Sequence, residues 1–170
     1  MYINKLHLRA FGKFIYKKIY FGNGFNIVYG ENEAGKSTVH NFIEAMLYGF
    51  DVDEKGEAKY LKYKPWNSIL YKGSLDASGK SGENHHVSKD FALQTMQVIK
   101  KNSRDKSEPE MVEEGISIPG EYFFNINKTA FCNTVSVRQL GNKTEKELAN
   151  ELKNKIINLS RTKDEAISMD

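Results

Sequence analysis

The chain has little cysteine and no long apolar segment, and each shortage excludes a class of protein. Cys132 is the one cysteine among 170 residues, which excludes a disulfide framework and a cysteine-ligated zinc site. No apolar run is long enough to cross a bilayer, and residues 1–5 lack the apolar segment of a signal peptide. We therefore expect one cytoplasmic domain without a membrane partner. The net charge of +3 permits a nucleic-acid partner but does not require one.

The most informative stretch is residues 30–38, which read G-E-N-E-A-G-K-S-T and match the Walker A pattern G-x-x-x-x-G-K-[ST]. Glycines at the two ends let the backbone wrap tightly, so that successive N–H groups converge on phosphate oxygens. Lys36 adds a positive charge at the β- and γ-phosphates, and the Ser37 hydroxyl is a ligand for Mg²⁺. The residues expected to bind nucleotide are Gly30, Asn32, Glu33, Ala34, Gly35, Lys36, Ser37 and Thr38.

The flanks of this loop fit a strand, loop and helix in that order. Upstream, Phe25–Tyr29 is a short run of apolar and β-branched residues, which predicts a buried strand. Downstream, an apolar stripe at helical spacing predicts an amphipathic helix, on which Glu44 is expected to be solvated. The stripe consists of Val39, Phe42, Ile43, Met46, Leu47 and Phe50. The fold class predicted is therefore α/β, of the P-loop NTPase type.

The remaining segments predict an antiparallel sheet beside this unit. Residues 3–10 and 15–21 alternate as two strands joined by a turn at 11–14, and together with the loop and helix they make up segment 1–50. Segment 51–115 predicts a β-meander of strands at 69–76, 85–91 and 95–99, followed by a mobile surface loop. Segment 116–141 predicts a short helix and then a strand at 134–139. Segment 142–170 predicts two helices that begin with capping boxes.

The set of residues needed for hydrolysis is incomplete. An ATP-hydrolysing P-loop protein needs an acidic residue at a strand end, and no run of four apolar residues followed by Asp-Glu occurs here. The nearest candidate, Asp51, directly follows the predicted helix, so it does not end a separate strand. His85 and His86 are adjacent on a strand and therefore face opposite ways. We expect the chain to bind nucleotide better than it cleaves it.

Five stretches carry a resemblance to a known family: 8–14 (LRAFGKF), 30–38, 63–66 (YKPW), 135–141 (VSVRQLG) and 159–162 (LSRT). Together they resemble the N-terminal half of the head of an SMC-like ABC ATPase, of the YhaN-like or double-strand-break-repair type. The resemblance implies an ABC-type head lobe, with the last helices leading toward a coiled coil. It also implies that ATP and Mg²⁺ are cofactors. Gln139 is implied to be the Q-loop glutamine, which contacts Mg²⁺ and the attacking water and acts in catalysis with Lys36.

The same resemblance implies contacts that the motif alone does not give. Lys13, or alternatively Arg9, approaches the nucleotide phosphates from the opening hairpin. The signature motif and Walker B residues lie in a C-terminal half, beyond the coiled coil. Two heads form a homodimer around ATP, and DNA and a nuclease subunit are the implied partners.

Two other functions stay open on the sequence. The first is a small-molecule phosphotransferase that uses the same loop, although the long meander before Gln139 replaces the acceptor site and lid of a kinase. The second is a non-catalytic dimerisation module that nucleotide switches.

Overall fold

The computed structural model describes residues 1–50, 59–79, 82–101 and 111–136, in two compact units. The first unit is Met1–Phe124 and the second begins at Asn125. The elements of the first unit are β1 (Tyr2–Phe11), β2 (Phe14–Tyr20), α1 (Lys36–Tyr48), a 3-10 helix (Lys59–Tyr63), β3 (Lys72–Ser78), β4 (Asn84–Asp90), β5 (Thr95–Lys101), β6 (Met111–Val112) and α2 (Pro119–Phe124). The second unit contains α3 (Lys128–Thr134). Among these helices, none is long and apolar enough to cross a membrane.

The strands form one antiparallel sheet in the order β2-β1-β3-β4-β5-β6. β1 and β2 are joined by a two-residue turn, Gly12-Lys13, because Phe11 pairs directly with Phe14. Gly12 has a φ of +56°, a left-handed conformation that glycine adopts without strain. The predicted opening hairpin and the predicted meander are therefore both confirmed, with strand ends shifted by a few residues.

One face of the sheet packs on α1 and forms the core; we call it the inner face. Along each strand, the side chains point alternately to the inner face and to the opposite, more polar face. The inner-face residues that are buried include Leu6, Leu8, Leu75, Val87 and Val98. The predicted stripe of α1 meets them, and Val39, Phe42, Met46 and Leu47 are each at most 5% exposed. This packing fixes α1 against β1, β3 and β4, and with it the loop at the start of α1.

An aromatic cluster joins the end of β1 to α1 and to the chain beyond it. Phe11 lies at its centre, edge-on to Phe42 with ring centroids 5.0 Å apart and stacked on Tyr63 at 5.2 Å. Phe91 and Tyr71 complete it, at 5.4 and 5.7 Å from the Phe11 ring. Since Gly12 follows Phe11 directly, the cluster also fixes the position of the β1–β2 turn.

The predicted buried strand at residues 25–29 is wrong. These residues have no regular secondary structure, and Phe25 and Tyr29 are 92% and 90% exposed. A buried strand needs neighbours along both edges, and the described strands pair only with one another in the sheet that β2 borders. The segment has the apolar composition of a buried strand, but none of the described strands pairs with it.

Glu44 is a second correction, because it is buried and only 3% exposed instead of solvated. Its carboxylate lies 4.0 Å from His40 Nε2, one turn earlier on α1. α2 packs on α1 one turn later, where Gly120 lies directly against the Tyr48 ring. This second contact buries the last half of α1 beyond its apolar stripe.

The segment after Gly115 differs from its prediction in part. The short helix near Pro119 is confirmed as α2, but residues 128–134, which include the start of the predicted strand, form α3. The Asn127 side chain caps α3 by accepting a hydrogen bond of 2.9 Å from the Ala130 amide. β6 lies within the predicted surface loop. Gln139 and the helices predicted for 142–170 lie outside the described residues.

Candidate nucleotide-binding site

The backbone at the start of α1 carries a run of hydrogen-bond donors without acceptors. Gly35 is the N-cap residue, with φ 103° and ψ 18°, and no side chain caps the helix. The first helical bond runs from the Val39 amide to the Gly35 carbonyl at 3.0 Å. The amides of Gly35, Lys36, Ser37 and Thr38 have no acceptor among the described residues. Four adjacent donors at a helix N-terminus form a site suited to an anion.

Lys36 lies inside the loop that precedes these amides. Its Nζ donates hydrogen bonds to the carbonyl oxygens of Gly30, at 2.7 Å, and Glu31, at 2.8 Å. These two bonds hold the Lys36 ammonium at the first two residues of the loop, and both acceptors are neutral. Phosphate oxygens bind an ammonium more strongly than backbone carbonyls do, because both partners are then charged.

The loop is tight at both of its glycines. A Cβ on Gly30 would lie 2.9 Å from the Ala34 Cβ, and one on Gly35 would lie 2.5 Å from the Phe14 ring. Glu33 has a φ of +63°, which a non-glycine residue adopts at a cost in free energy. The two conserved positions of the Walker A pattern therefore coincide with the two positions where a side chain does not fit.

The β1–β2 turn closes the loop from the other side. Lys13 Nζ donates a hydrogen bond to the Glu33 carbonyl, and the neighbouring Phe14 ring covers Gly35. The Gly12 amide donates to the Tyr63 carbonyl at 2.7 Å, and its α-carbon lies close to the Thr38 side chain. The turn therefore contacts both the loop and the first turn of α1.

Comparisons with known proteins agree with this geometry. Residues 1–64 match a family model described as an AAA domain. YhaN of Bacillus subtilis, an uncharacterised protein, is 40% identical over 76 residues, which is 44% of this chain and 7% of YhaN. The DNA double-strand break repair Rad50 ATPase of Thermoplasma volcanium is 28% identical over 152 residues, which is 82% of this chain and 15% of that protein. The resemblance to SMC-like ATPases of the YhaN type is confirmed. The chain spans a small part of the length of either relative.

The resemblance to YhaN-type ATPases implied that Lys13, or alternatively Arg9, lies near the nucleotide phosphates. The structure shows which of the two lies near the loop. Lys13 contacts the loop directly. Arg9 is exposed and lines a groove on the opposite face of the sheet, together with Lys5 and His7. Of the two, only Lys13 lies against the loop.

The predicted site residues are brought together with one exception. Gly30, Glu33, Ala34, Gly35, Lys36, Ser37 and Thr38 form the loop and the first turn of α1, with Asn32 exposed between them. Gln139 lies outside the described residues, so its predicted place beside Ser37 stays a prediction.

Sequence reasoning missed two residues that shape the loop. Phe14 covers Gly35, and Tyr63 accepts the Gly12 amide through its carbonyl oxygen. Burial raises the pKa of the Tyr63 hydroxyl above its ordinary value. Both residues stand in stretches that carried the family resemblance, at 8–14 and 63–66, but an aromatic residue gives no signal of its own for contact with a glycine loop.

Proposed function

We propose that this chain binds ATP with Mg²⁺ as the N-terminal part of an SMC-like ATPase head. The observation that supports this most is the run of four acceptor-free amides, Gly35 to Thr38, next to the Lys36 ammonium. Backbone donors along the loop and a lysine ammonium beside them suit the charged oxygens of a nucleotide's phosphates.

Each residue of the loop then has a defined part in binding. The amides of Gly35 to Thr38 hold the phosphate oxygens, and Lys36 exchanges the Gly30 and Glu31 carbonyls for the β- and γ-phosphates. Lys13 adds a second cation from the turn. Bound Mg²⁺ neutralises charge between the β- and γ-phosphates, and Ser37 and Gln139 are its proposed ligands.

The catalytic residues absent from this sequence are proposed to come from the C-terminal half of the same head. The exposed apolar segment at 25–29 supports this. Phe25, Ile27 and Tyr29 are 92%, 72% and 90% exposed, and burying one such side chain contributes about 1.5–3 kcal/mol. We infer that the C-terminal half covers this segment and supplies the signature motif and the Walker B residues.

In the assembled protein, two heads are proposed to close on ATP as a homodimer. Contacts with the γ-phosphate favour the closed state, and hydrolysis removes them. The similarity to a protein named as a DNA double-strand break repair ATPase supports DNA as the substrate and a nuclease as a partner.

Calorimetric titration of the purified chain with ATP, with and without Mg²⁺, tests the nucleotide site. Lys36→Ala removes charge-assisted bonds of about 1.5–3 kcal/mol and should weaken ATP binding about 10- to 100-fold. Gln139→Ala should alter mainly the Mg²⁺ dependence. Lys17→Ala is the matched control, since Lys17 is an exposed lysine on β2 whose side chain forms no hydrogen bond or ion pair with the described residues, and it should bind ATP as the parent chain does.

Turnover tests the second half of the proposal. The chain alone should hydrolyse ATP negligibly, because the sequence has no run of four apolar residues followed by Asp-Glu to complete the metal site. Rapid hydrolysis by this chain without a C-terminal half would contradict the assignment of the catalytic residues to that half.

A further inference from the structure

The face of the sheet that points away from α1, the outer face, is rich in cations. Lys5, His7 and Arg9 on β1 line a groove of about 590 Å³ with Lys72 on β3 and His86 on β4. Lys18 on β2 pairs with His7 in the strand register and therefore joins the same row. This groove is separate from the Walker A loop, which lies beside α1.

The carboxylates on this face do not neutralise the cations around them. Asp76 accepts a hydrogen bond from His86 Nδ1 and lies 3.8 Å from Lys5 Nζ, and the bond from His86 is the main cause that lowers the pKa of Asp76. Asp90 accepts the amides of Ala92 and Leu93, at 3.0 and 3.1 Å, in the β4–β5 turn.

After the Lys5–Asp76 pair, three cations remain against the carboxylate of Asp90, which lies opposite Lys72 in the strand register. Among the residues that the structure describes, Arg9, Lys18 and Lys72 form no ion pair. Their field reaches His7, whose pKa is lowered first by burial and then by the charges of Lys18, Arg9 and Lys5. The outer face therefore has a net positive potential that its own acidic residues do not cancel.

The spacing of these groups suits a polymer of phosphates. Side chains two apart on a strand lie about 7 Å from each other, and those on neighbouring strands lie about 5 Å apart. Arg9, Lys18 and Lys72 lie on the neighbouring strands β1, β2 and β3, so they form a row of cations across the sheet. Ser74, Ser88 and Gln97 line the same groove and are neutral hydrogen-bond donors of the type that contact phosphate oxygens.

From this arrangement we propose that the outer face binds the phosphate backbone of a nucleic acid, through Arg9, Lys18 and Lys72. The proposal rests on the proposed function for DNA as the substrate, and it adds where the DNA lies. The central rows of this face carry charged and polar side chains instead of the apolar groups that insert into a lipid surface. An acidic polypeptide is the competing occupant, and the experiment separates it.

Fluorescence anisotropy with a labelled DNA duplex of about 20 base pairs, at about 50 to 200 mM salt, tests the surface. Lys18→Glu and Arg9→Glu should each weaken binding about tenfold at low salt and reduce the salt slope by about 1. The matched control is Lys17→Glu, with the same change of charge one residue earlier on β2. Lys17 pairs with the buried Leu8, so its side chain belongs to the other face, and binding should change by less than about twofold.

The outcome separates this proposal from the ATP site. Lys18→Glu and Arg9→Glu should keep the circular dichroism spectrum and the ATP affinity of the parent chain, because neither residue touches the loop. If both bind duplex as the parent does while ATP still binds, the outer-face proposal fails and the nucleotide site stands. Equal losses for Lys17→Glu and Lys18→Glu would also overturn it. So would a parent chain that shows no salt-dependent duplex binding, or a poly-glutamate chain that competes as well as DNA at equal charge.

Discussion

Gly35→Ala, which adds one methyl group, should lower both the free energy of unfolding of the chain and its affinity for ATP. Gly35 has a φ of +103°, outside the range that residues with a side chain adopt readily. Its new Cβ would lie 2.5 Å from Phe14 Cζ, 2.8 Å from Phe14 Cε2 and 3.4 Å from Lys13 Cδ. The Phe14 ring belongs to β2 and lies beside a turn that is tied to Tyr63, so it has little freedom to withdraw.

The cost of Gly35→Ala has two parts. The left-handed backbone conformation costs about 1–2 kcal/mol for a residue with a Cβ. Overlap with a packed ring costs about 1–3 kcal/mol more. We therefore expect Gly35→Ala to lower the free energy of unfolding by about 2–5 kcal/mol.

The matched control is Gly24→Ala. Gly24 has a similar φ of +89°, but a Cβ there would meet nothing within 4 Å, so only the backbone part applies. The difference of about 1–3 kcal/mol between the two variants corresponds to a difference in Tm of about 2–12 °C for a chain of this size. Thermal unfolding followed by circular dichroism measures it.

Two further results would show whether the Phe14 contact is the cause. Gly35→Ala should also weaken ATP binding, since relief of the clash displaces the amides of the loop, whereas Gly24→Ala should not. In the double variant Gly35→Ala with Phe14→Ala, the overlap with the ring is removed. Its loss in free energy of unfolding should therefore equal the cost of the left-handed backbone at residue 35 plus the cost of the missing Phe14 ring. If Gly35→Ala matches Gly24→Ala in both Tm and ATP affinity, the packing of the β1–β2 turn on the loop has been misjudged.

Three other predictions concern the core and its pH dependence. Phe42→Ala should lower the free energy of unfolding by about 3–5 kcal/mol in urea titrations, because the ring is fully buried against Phe11. Gly73→Ala should also destabilise the chain, since its Cβ would lie 2.5 Å from Phe42 Cζ and 2.8 Å from the His7 carbonyl oxygen, and Gly22→Ala, whose Cβ would lie 3.9 Å from the nearest atom, is its control. Burial is the main cause that lowers the pKa of His85 below 6.5, so the unfolded chain binds more protons and stability should fall as the pH drops below about 6.5. His85→Phe should reduce that slope in Tm measured between about pH 7 and pH 5.5, and an unchanged slope would contradict it.

The parts of the fold that sequence predicted well are those with a strong local period. β1 alternates over most of its length, and the buried Leu6, Leu8 and Ala10 are the residues that the pattern selects. The stripe on α1 was equally clear. Four of the six stripe residues, Val39, Phe42, Met46 and Leu47, are buried, whereas Ile43 is half-buried and Phe50 lies beyond the end of α1.

The failures occurred where burial depends on a distant partner. The run at 25–29 has the composition of a buried strand, but composition does not say which strand pairs with it, and no described strand does. Glu44 is buried although it is charged and lies outside the apolar stripe, and the packing of α2 on α1 is a contact that the pattern on α1 alone does not show. The strand predicted from 134 rested on a short alternation, and the stronger local signal was the Asn127 cap that starts α3.

The candidate site divides in the same way. The motif alone predicted the loop, the helix that follows and the place of Lys36, because their spacing is fixed by the geometry of a phosphate-binding loop. The contact between Lys13 and Glu33 depends on the hairpin folding back over the loop, so the sequence alone predicted Lys13 with Arg9 as an alternative. Only the three-dimensional arrangement places them on opposite sides of the sheet.

The most direct test of the central claim is to observe the four amides themselves. In ¹H–¹⁵N NMR spectra of the labelled chain, added ATP should shift the amide signals of Gly35, Lys36, Ser37 and Thr38 far more than those of distant residues such as Val98. Adenosine, which has the same base and sugar but no phosphates, should leave the four signals in place. If ATP fails to shift them, or if adenosine shifts them equally, these amides do not bind a triphosphate and the account is contradicted.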